Sequence, residues 1–153
     1  MEMTEAIFKA VAIGASYSAV GLAAVGSAMG IGVAGQSAIG AWKKCYQQGK
    51  AAPFLLLALV SAPLSQTIYA VIQMILMNGN IEKNPMSMPA YVLIALAGGM
   101  AQMVSAMFQG RCAANACVAF AETDKGFSNY LTVLGVVETC AIFALIMSLL
   151  AMP

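Results

Sequence analysis

The sequence predicts an all-α membrane protein, because apolar residues dominate and charges are confined to short segments. Hydrophobic residues make up 61% of the 153-residue chain and charged residues only 8%, and a soluble domain of this size could not cover such a composition with polar surface. Charge-free runs extend over residues 10–42, 51–81 and 84–110. A spanning helix needs about 20 residues, and each of these runs is longer. A fourth apolar run, 126–153, contains a single charged residue, Glu138.

These runs predict four transmembrane helices in two tandem, parallel hairpins. The expected helices lie near residues 7–42, 53–78, 88–122 and 127–151, and the hairpins comprise residues 1–80 and 81–153. The first and third helices are longer than the hydrocarbon thickness, so we expect them to tilt, bend or protrude.

The two hairpins resemble each other in sequence. Gly32 aligns with Gly110, and Gln66 stands where the second hairpin has Glu138. A two-helix repeat keeps its orientation in the membrane, so such repeats pack around an axis along the membrane normal. Duplication alone does not decide between a ring of identical subunits and a compact monomeric bundle.

Small residues favour the ring. The first helix carries two stripes of them, one at intervals of seven and one at intervals of four: Gly14, Gly21, Ala28 and Gly35, and Gly26, Gly30, Ala34 and Ala38. In lipid, small residues at such spacings let helix backbones approach closely. A monomeric bundle needs one bare face per helix, whereas two bare faces predict a helix wedged between identical neighbours in a ring.

Glu138 is the strongest candidate for a functional residue. A carboxylate at mid-membrane depth costs about 2.5–3.5 kcal/mol on insertion scales, and such groups mark sites for protons or cations. The alternative is a protonated glutamate that makes one hydrogen bond between helices.

Other polar side chains are expected at the depth of Glu138. Gln66, Gln109 and Glu138 lie about eleven to thirteen residues, or about 17–20 Å, from the loop ends of their expected helices. Ser65 is adjacent to Gln66, and Tyr69 follows three residues later, so one helical turn can present all three.

The oxygen-rich set predicts Na⁺ as the ion. Hard cations favour oxygen ligands, and one carboxylate suits a monovalent ion, whereas a proton needs few of these groups. The backbone carbonyl of Ala62 is a further candidate ligand, since Pro63 cannot donate a hydrogen bond to the preceding turn. Alternatively, the glutamines only join helices, which is our interpretation of Gln73.

The distribution of lysine predicts the orientation. Lys and Arg are in excess on the cytoplasmic side of membrane proteins, and the two connections between paired helices contain most of the lysines: Lys43, Lys44, Lys50 and Lys125. We therefore expect loops 43–52 and 122–128 in the cytoplasm, and both termini and loop 79–88 outside.

Several kinds of chemistry find no support in the sequence. The chain has no histidine, and its four cysteines lack ligand spacing, so we expect no disulfide and no transition-metal site. No nucleophile–base pair or phosphate loop is visible. With a net charge of +1 and no basic soluble surface, we expect no binding of nucleic acid.

Four motifs together resemble a known family across the whole chain. They are the glycine-dense first helix, the Pro-Leu-Ser-Gln-Thr-Ile-Tyr run (63–69), Gln109-Gly110-Arg111, and Val137-Glu138-Thr139. This combination resembles the proteolipid, c-like subunit of V-type (A/V-type) rotary ATPases. More narrowly, it is similar to the duplicated four-helix bacterial form that is often called subunit K.

The resemblance implies an assembly and a site. Identical subunits form a ring that rotates against a membrane stator subunit and couples cation movement to ATP hydrolysis or synthesis in a separate head. This chain would thus be a non-catalytic subunit, surrounded by lipid in a bacterial cell membrane, whose loops 43–52 and 122–128 meet the central stalk. By the same resemblance, sodium-type members carry the pattern found here in Ser65-Gln66, Gln109 and Glu138-Thr139.

Two alternatives remain at this point. A proton-coupled rotor of the same family would keep Glu138 and leave the neutral oxygens without a ligand role. A small cation or multidrug transporter would also use one membrane glutamate, but it would need an aromatic pocket, and only Tyr69 is expected near Glu138. The resemblance gives Arg111 no role, since the stator arginine belongs to another subunit.

Overall fold

The computed structural model describes residues 2–153, which are helical apart from short connections and contain no β-strand. In chain order the α-helices are α1 (Glu2–Gln47), α2 (Leu56–Ser61), α3 (Ser65–Ile81), α4 (Met88–Thr123) and α5 (Phe127–Leu150). Short 3₁₀ turns, Ala62–Leu64 and Pro85–Ser87, precede α3 and α4. Four spans are long and apolar enough to cross a membrane, which confirms the predicted all-α membrane fold.

The first helix is longer than expected at both ends. It contains 46 residues, about 69 Å of helix against a hydrocarbon core of about 30 Å. Lysines at 43 and 44 do not end it, because positive charge is favourable in the last turns of a helix. It ends where Gly49 adopts a φ of +66° and Lys50 N–H donates to Cys45 O at 2.9 Å, a glycine-dependent C-terminal cap.

The second span, Leu56–Ile81, contains a short 3₁₀ turn where regular α-helix was expected. Pro63 has no N–H, so the carbonyl of Leu59 loses its usual donor and the chain tightens into the 3₁₀ turn. The carbonyl of Ala62 instead accepts the backbone N–H of Ser65. The carbonyl that the proline leaves without its usual donor is therefore that of Leu59, and the ligand role of Ala62 stays a prediction.

Helices α1 and α4 form the most extensive helix pair, and their backbones touch. A Cβ atom on Gly26 would lie 2.3 Å from Met103 O, and one on Gly30 would lie 2.4 Å from Ala106 O. Residue numbers increase in the same direction along both helices, so the helices are parallel. The stripe of small residues at intervals of four therefore packs within the chain.

The stripe at intervals of seven has a different environment. A Cβ atom on Gly14 or Gly21 would meet no atom within 4 Å, and the same holds for Gly32 and Gly40. Ala28 is exposed on this face. The stripe at intervals of four therefore lies inside the chain, and Gly14, Gly21 and Ala28 face outward. The last member of the outward stripe, Gly35, is half-buried, and a Cβ atom there would lie 3.9 Å from Val60 Cγ1.

The two ends of the bundle differ in charge. We call the end with residues 43–55 and 122–126 the loop end, and the end with residues 2–9, 82–88 and 151–153 the terminal end. Lys44 pairs with Glu122 at the loop end, and Lys9 pairs with Glu82 at the terminal end, both at 2.6 Å. Both pairs are exposed, so solvent screens them and they contribute little to stability.

Candidate functional site

Glu138 lies in the middle of α5 and points its carboxylate toward α3 and α4. Tyr69 Oη donates to Glu138 Oε1 at 2.5 Å, and Gln109 Nε2 donates to Glu138 Oε2 at 3.2 Å. Both carboxylate oxygens are thus held by neutral donors, from α3 and α4 respectively. These contacts fix the orientation of the acid without neutralising a charge on it.

Two fully buried glutamine side chains continue the network. Gln66 Nε2 donates to Gln109 Oε1 at 2.9 Å, and Gln109 Nε2 also donates to the carbonyl of Leu134 at 3.0 Å. Both glutamines are 0% exposed. Gln109 therefore presents its amide nitrogen to Glu138 and its amide oxygen to Gln66.

The start of α3 brings three oxygen atoms together: Ser65 Oγ, the carbonyl oxygen of Ala62 and Gln66 Oε1. Ser65 Oγ donates to Ala62 O at 3.1 Å and to Gln66 Oε1 at 3.3 Å. The same bond from a hydroxyl to the carbonyl three residues earlier occurs within regular helix at Ser16, Ser18 and Thr139. All three oxygen atoms therefore belong to the second span, at the level of Gln66.

All six candidate site residues are linked by side-chain hydrogen bonds. In order along the network they are Ala62, Ser65, Gln66, Gln109, Glu138 and Tyr69. Two other residues from the same motifs lie outside it. Thr139 is exposed and donates to Val136 O, and Arg111 is exposed with its guanidinium 5.1 Å from the Phe108 ring centroid.

Sequence reasoning missed two polar residues of α4. Ser105 Oγ accepts from Gln66 Nε2 at 3.3 Å and donates to Val137 O at 3.2 Å, so it belongs to the network. Gln102 is fully buried nearby. Ser105 lies four residues before Gln109, on the same face of the helix, and that spacing could have identified it.

The network has a formal charge of −1 when Glu138 is ionised. The other five carboxylates lie at the ends of the bundle and are exposed: Glu2, Glu5, Glu82, Glu122 and Asp124. An ionised group in an apolar environment is costly unless a counter-charge or a proton neutralises it. The arrangement can therefore bind one proton or one monovalent cation.

Comparison with known proteins agrees with this chemistry. Residues 92–151 match the family model for the C subunit of ATP synthase, a region that contains Gln109 and Glu138. No curated protein matches the chain. Members of the matched family form homo-oligomeric rings that pair with a stator subunit. The second hairpin of this multi-pass membrane protein thus matches the proteolipid c-subunit family.

Proposed function

We propose that the chain is the rotor-ring subunit of a V-type rotary ATPase, in a duplicated four-helix form, and that it carries Na⁺. The observation that carries this proposal is the continuous hydrogen-bond network from Ala62 to Glu138. It combines one carboxylate with several neutral oxygen atoms inside a membrane-spanning bundle.

Duplication is supported by the way in which the two hairpins pack. Helices α1 and α4, the first helix of each hairpin, lie parallel and in backbone contact. Gln66 takes the place in the first hairpin that Glu138 takes in the second. One ion is then carried per four helices, and moving each ion is worth about 2.3 kcal/mol per 100 mV. Fewer ions per turn favour use as an ATP-driven pump.

The neutral oxygens support Na⁺ as the ion. Glu138 supplies the negative charge, and Gln109, Gln66, Ser65 and the Ala62 carbonyl supply oxygen atoms of the kind that hard cations prefer. Tyr69 holds the carboxylate through its hydrogen bond. Na⁺ would neutralise the site, which lowers the cost of burying the carboxylate.

A proton-coupled rotor is the second candidate. One observation favours it: Tyr69 and Gln109 already engage both oxygens of Glu138, which is enough to position a protonated acid. In that case the oxygens of Ser65, Gln66 and Ala62 would only join the 3₁₀ turn to the bundle.

The proposed orientation places the loop end in the cytoplasm of a bacterial cell. Three lysines in α1 and its following loop give this end its positive charge, Lys43, Lys44 and Lys50, and positive residues favour the cytoplasmic side. Loops 43–52 and 122–128 would then contact the central stalk, while the stator subunit would meet the ring beside Glu138.

Carbodiimide labelling of the purified ring tests the choice of ion. The reagent reacts with a protonated carboxyl group, whereas a bound cation keeps the carboxylate ionised and therefore unreactive. At fixed, mildly acidic pH, labelling of Glu138 should fall as Na⁺ is added and should not respond to K⁺. Labelling that responds to pH alone would establish the proton-coupled alternative.

Two variants sharpen this test. Gln66→Leu removes a neutral oxygen of the site, so more Na⁺ should be needed for protection while labelling in the absence of Na⁺ persists. Gln36→Leu is the matched control, since Gln36 is exposed on α1 and outside the network. Equal Na⁺ protection in both variants would remove Gln66 from the set of ligands.

A further inference from the structure

The repeat within the chain predicts how one copy meets the next. Helices α1 and α4 match at an offset of 78 residues, since Ala28 stands where α4 has Ala106 and Gly32 stands where α4 has Gly110. Inside the chain, α1 packs against α4. Tandem repeats of one orientation pack around a common axis, so in the proposed ring each α4 also meets α1 of the next copy. Contacts inside the chain then identify their equivalents between copies, through the same offset.

The contact of Gly26 with Met103 gives one such pair. A Cβ atom on Gly26 would overlap the backbone of Met103, so the two positions face each other inside the chain. The offset converts them into Val104 and, on the next copy, Val25. Val104 is 46% exposed and Val25 is 53% exposed. Both valines therefore lie uncovered on the outside of the chain, where the repeat requires a contact.

A second pair combines a large side chain with small ones. Gly30 packs against the backbone of Ala106 inside the chain, and the equivalent pair is Phe108 with Ala28 of the next copy. Phe108 is 52% exposed, and Ala28 is exposed. On the same face as Ala28, a Cβ atom on Gly32 would meet no atom within 4 Å. The phenyl ring thus has space to fill on the neighbouring helix.

An open groove between α4 and α5 matches a filled one in the first hairpin. The groove has a volume of about 270 Å³, and its lining includes three small residues of α4: Cys112, Ala116 and Ala119. Their equivalents in α1 belong to one core cluster with Cys117: Ala34, Ala38 and Ala41. The offset converts Cys117 into Ile39, which is 65% exposed. Ile39 of the next copy is therefore the side chain that fits this groove.

The ion pair at the loop end maps onto itself. Lys44 and Glu122 are separated by the same 78 residues, so the equivalent of their contact is Glu122 with Lys44 of the next copy. Inside the chain, Lys44 Nζ and Glu122 Oε1 lie 2.6 Å apart, yet the side chains remain 56% and 48% exposed. A lysine ammonium has three donors, and a carboxylate has two acceptor oxygens. Each group therefore has capacity for a second partner.

We propose that the exposed face of α4 binds the outward face of α1 on the next copy, and that Glu122 is shared between Lys44 of its own chain and Lys44 of that copy. The two faces differ, so the interface is heterologous and is completed by closure into a ring. A belt of alternating charges then runs around the ring at the loop end. This inference rests on the ring of the proposed function and holds for either ion.

Disulfide cross-linking tests the helix pairing. A disulfide needs Cα atoms about 4.4–6.8 Å apart. In a ring whose native cysteines are replaced, Val25→Cys with Val104→Cys should link copies on oxidation and give a ladder of covalent dimers, trimers and larger species on denaturing gels. Val11→Cys with Val104→Cys is the matched control, because Val11 is also exposed but lies about 20 Å from Val25 along α1. Monomer alone from the first pair, or equal ladders from both pairs, would overturn the pairing.

A zero-length cross-link tests the shared carboxylate without any added cysteine. A water-soluble carbodiimide joins a carboxylate to an amine in contact with it, so a link from Glu122 to Lys44 of the next copy should give a ladder in the wild-type ring. Lys44→Arg keeps the charge but has no primary amine, and the ladder should be lost. Lys9→Arg is the matched control, because Lys9 pairs with Glu82 inside the chain. A ladder that persists in Lys44→Arg would reject the shared pair.

Ring formation on native gels separates this inference from the proposed function. An intact ring that gives neither ladder would reject this interface, leave the face to lipid, and keep the rotor function. A chain that forms no ring under the same conditions would overturn both. Ladders from the two independent chemistries, each lost in its own control, are the result that we expect.

Discussion

Gly30 and Gly110 are in backbone contact: a Cβ atom on Gly110 would lie 2.2 Å from Gly30 Cα. This contact joins α1 to α4 at the level of Gln109, the residue next to Gly110. Close packing between parallel helices is therefore part of what positions the proposed ion site, and it depends on the absence of side chains at both positions.

Replacing either glycine should destabilise the fold. Gly110→Ala places a methyl group against backbone atoms that cannot move aside, and overpacking of this kind costs about 1–3 kcal/mol. Gly79→Ala is the control, because a Cβ atom there meets nothing within 4 Å and alanine favours helix by about 1 kcal/mol. Thermal unfolding in detergent should rank Gly110→Ala below the wild type. The reverse order would refute the close contact.

Ring assembly should depend on the other stripe of α1. Gly21→Leu leaves the fold of the chain intact but fills the outward face on which an identical neighbour is expected to pack. Native gels should show folded monomer and little ring. Gly79→Leu is the control, since Gly79 is also open but lies near the end of α3. Normal ring yield from Gly21→Leu would show that neighbouring copies do not meet at this face.

The stripes also show what sequence could and could not predict. Spacing alone identified both faces of α1, but it could not say which face packs within the chain. Long apolar runs, three of them without charge, located the four spans, whereas the end of α1 depended on the turn at Gly49 and its hydrogen bonds. The spacing of Ser105 from Gln109 was available in the sequence, whereas the hydrogen bond from Ser105 to Val137 O depends on the register of α4 against α5, which composition does not contain.

Orientation can be tested with cysteines at opposite ends. Lys50→Cys at the loop end should react with an impermeant thiol reagent only after the cells are opened, and Lys83→Cys at the terminal end should react in intact cells. Cys45 is a poor reporter for this purpose because it is 4% exposed and its Sγ lies 3.9 Å from Ala121 O. Reaction of Lys50→Cys in intact cells would invert the proposed topology.

Coupled transport should require the charge of Glu138. Glu138→Gln keeps the side-chain volume and can still hydrogen-bond Tyr69, so the ring should assemble, but a neutral amide has no charge to hold the ion. We expect ATP-driven Na⁺ uptake to be lost in reconstituted vesicles. Glu82→Gln removes an exposed ion pair with Lys9 and should retain uptake. Persistent uptake by Glu138→Gln would exclude this residue as the ion carrier.

Tyr69 should tune the affinity of the site without being essential to it. Tyr69→Phe removes the hydroxyl that donates to Glu138 Oε1 at 2.5 Å and keeps the aromatic ring of the side chain. A hydrogen bond to a charged group is worth about 1.5–3 kcal/mol, so the Na⁺ concentration that half-protects Glu138 from carbodiimide should rise about tenfold or more. Tyr17→Phe, exposed on α1, is the control and should leave protection unchanged.

The direction of the change separates two roles for Tyr69. If the hydroxyl holds the ionised carboxylate in the geometry that binds Na⁺, its removal weakens protection, and labelling in the absence of Na⁺ persists. If the hydroxyl instead competes with the ion for Glu138 Oε1, its removal strengthens protection. The short contact and the fixed placement of Tyr69, one turn from Ser65 and Gln66 on α3, favour the first outcome.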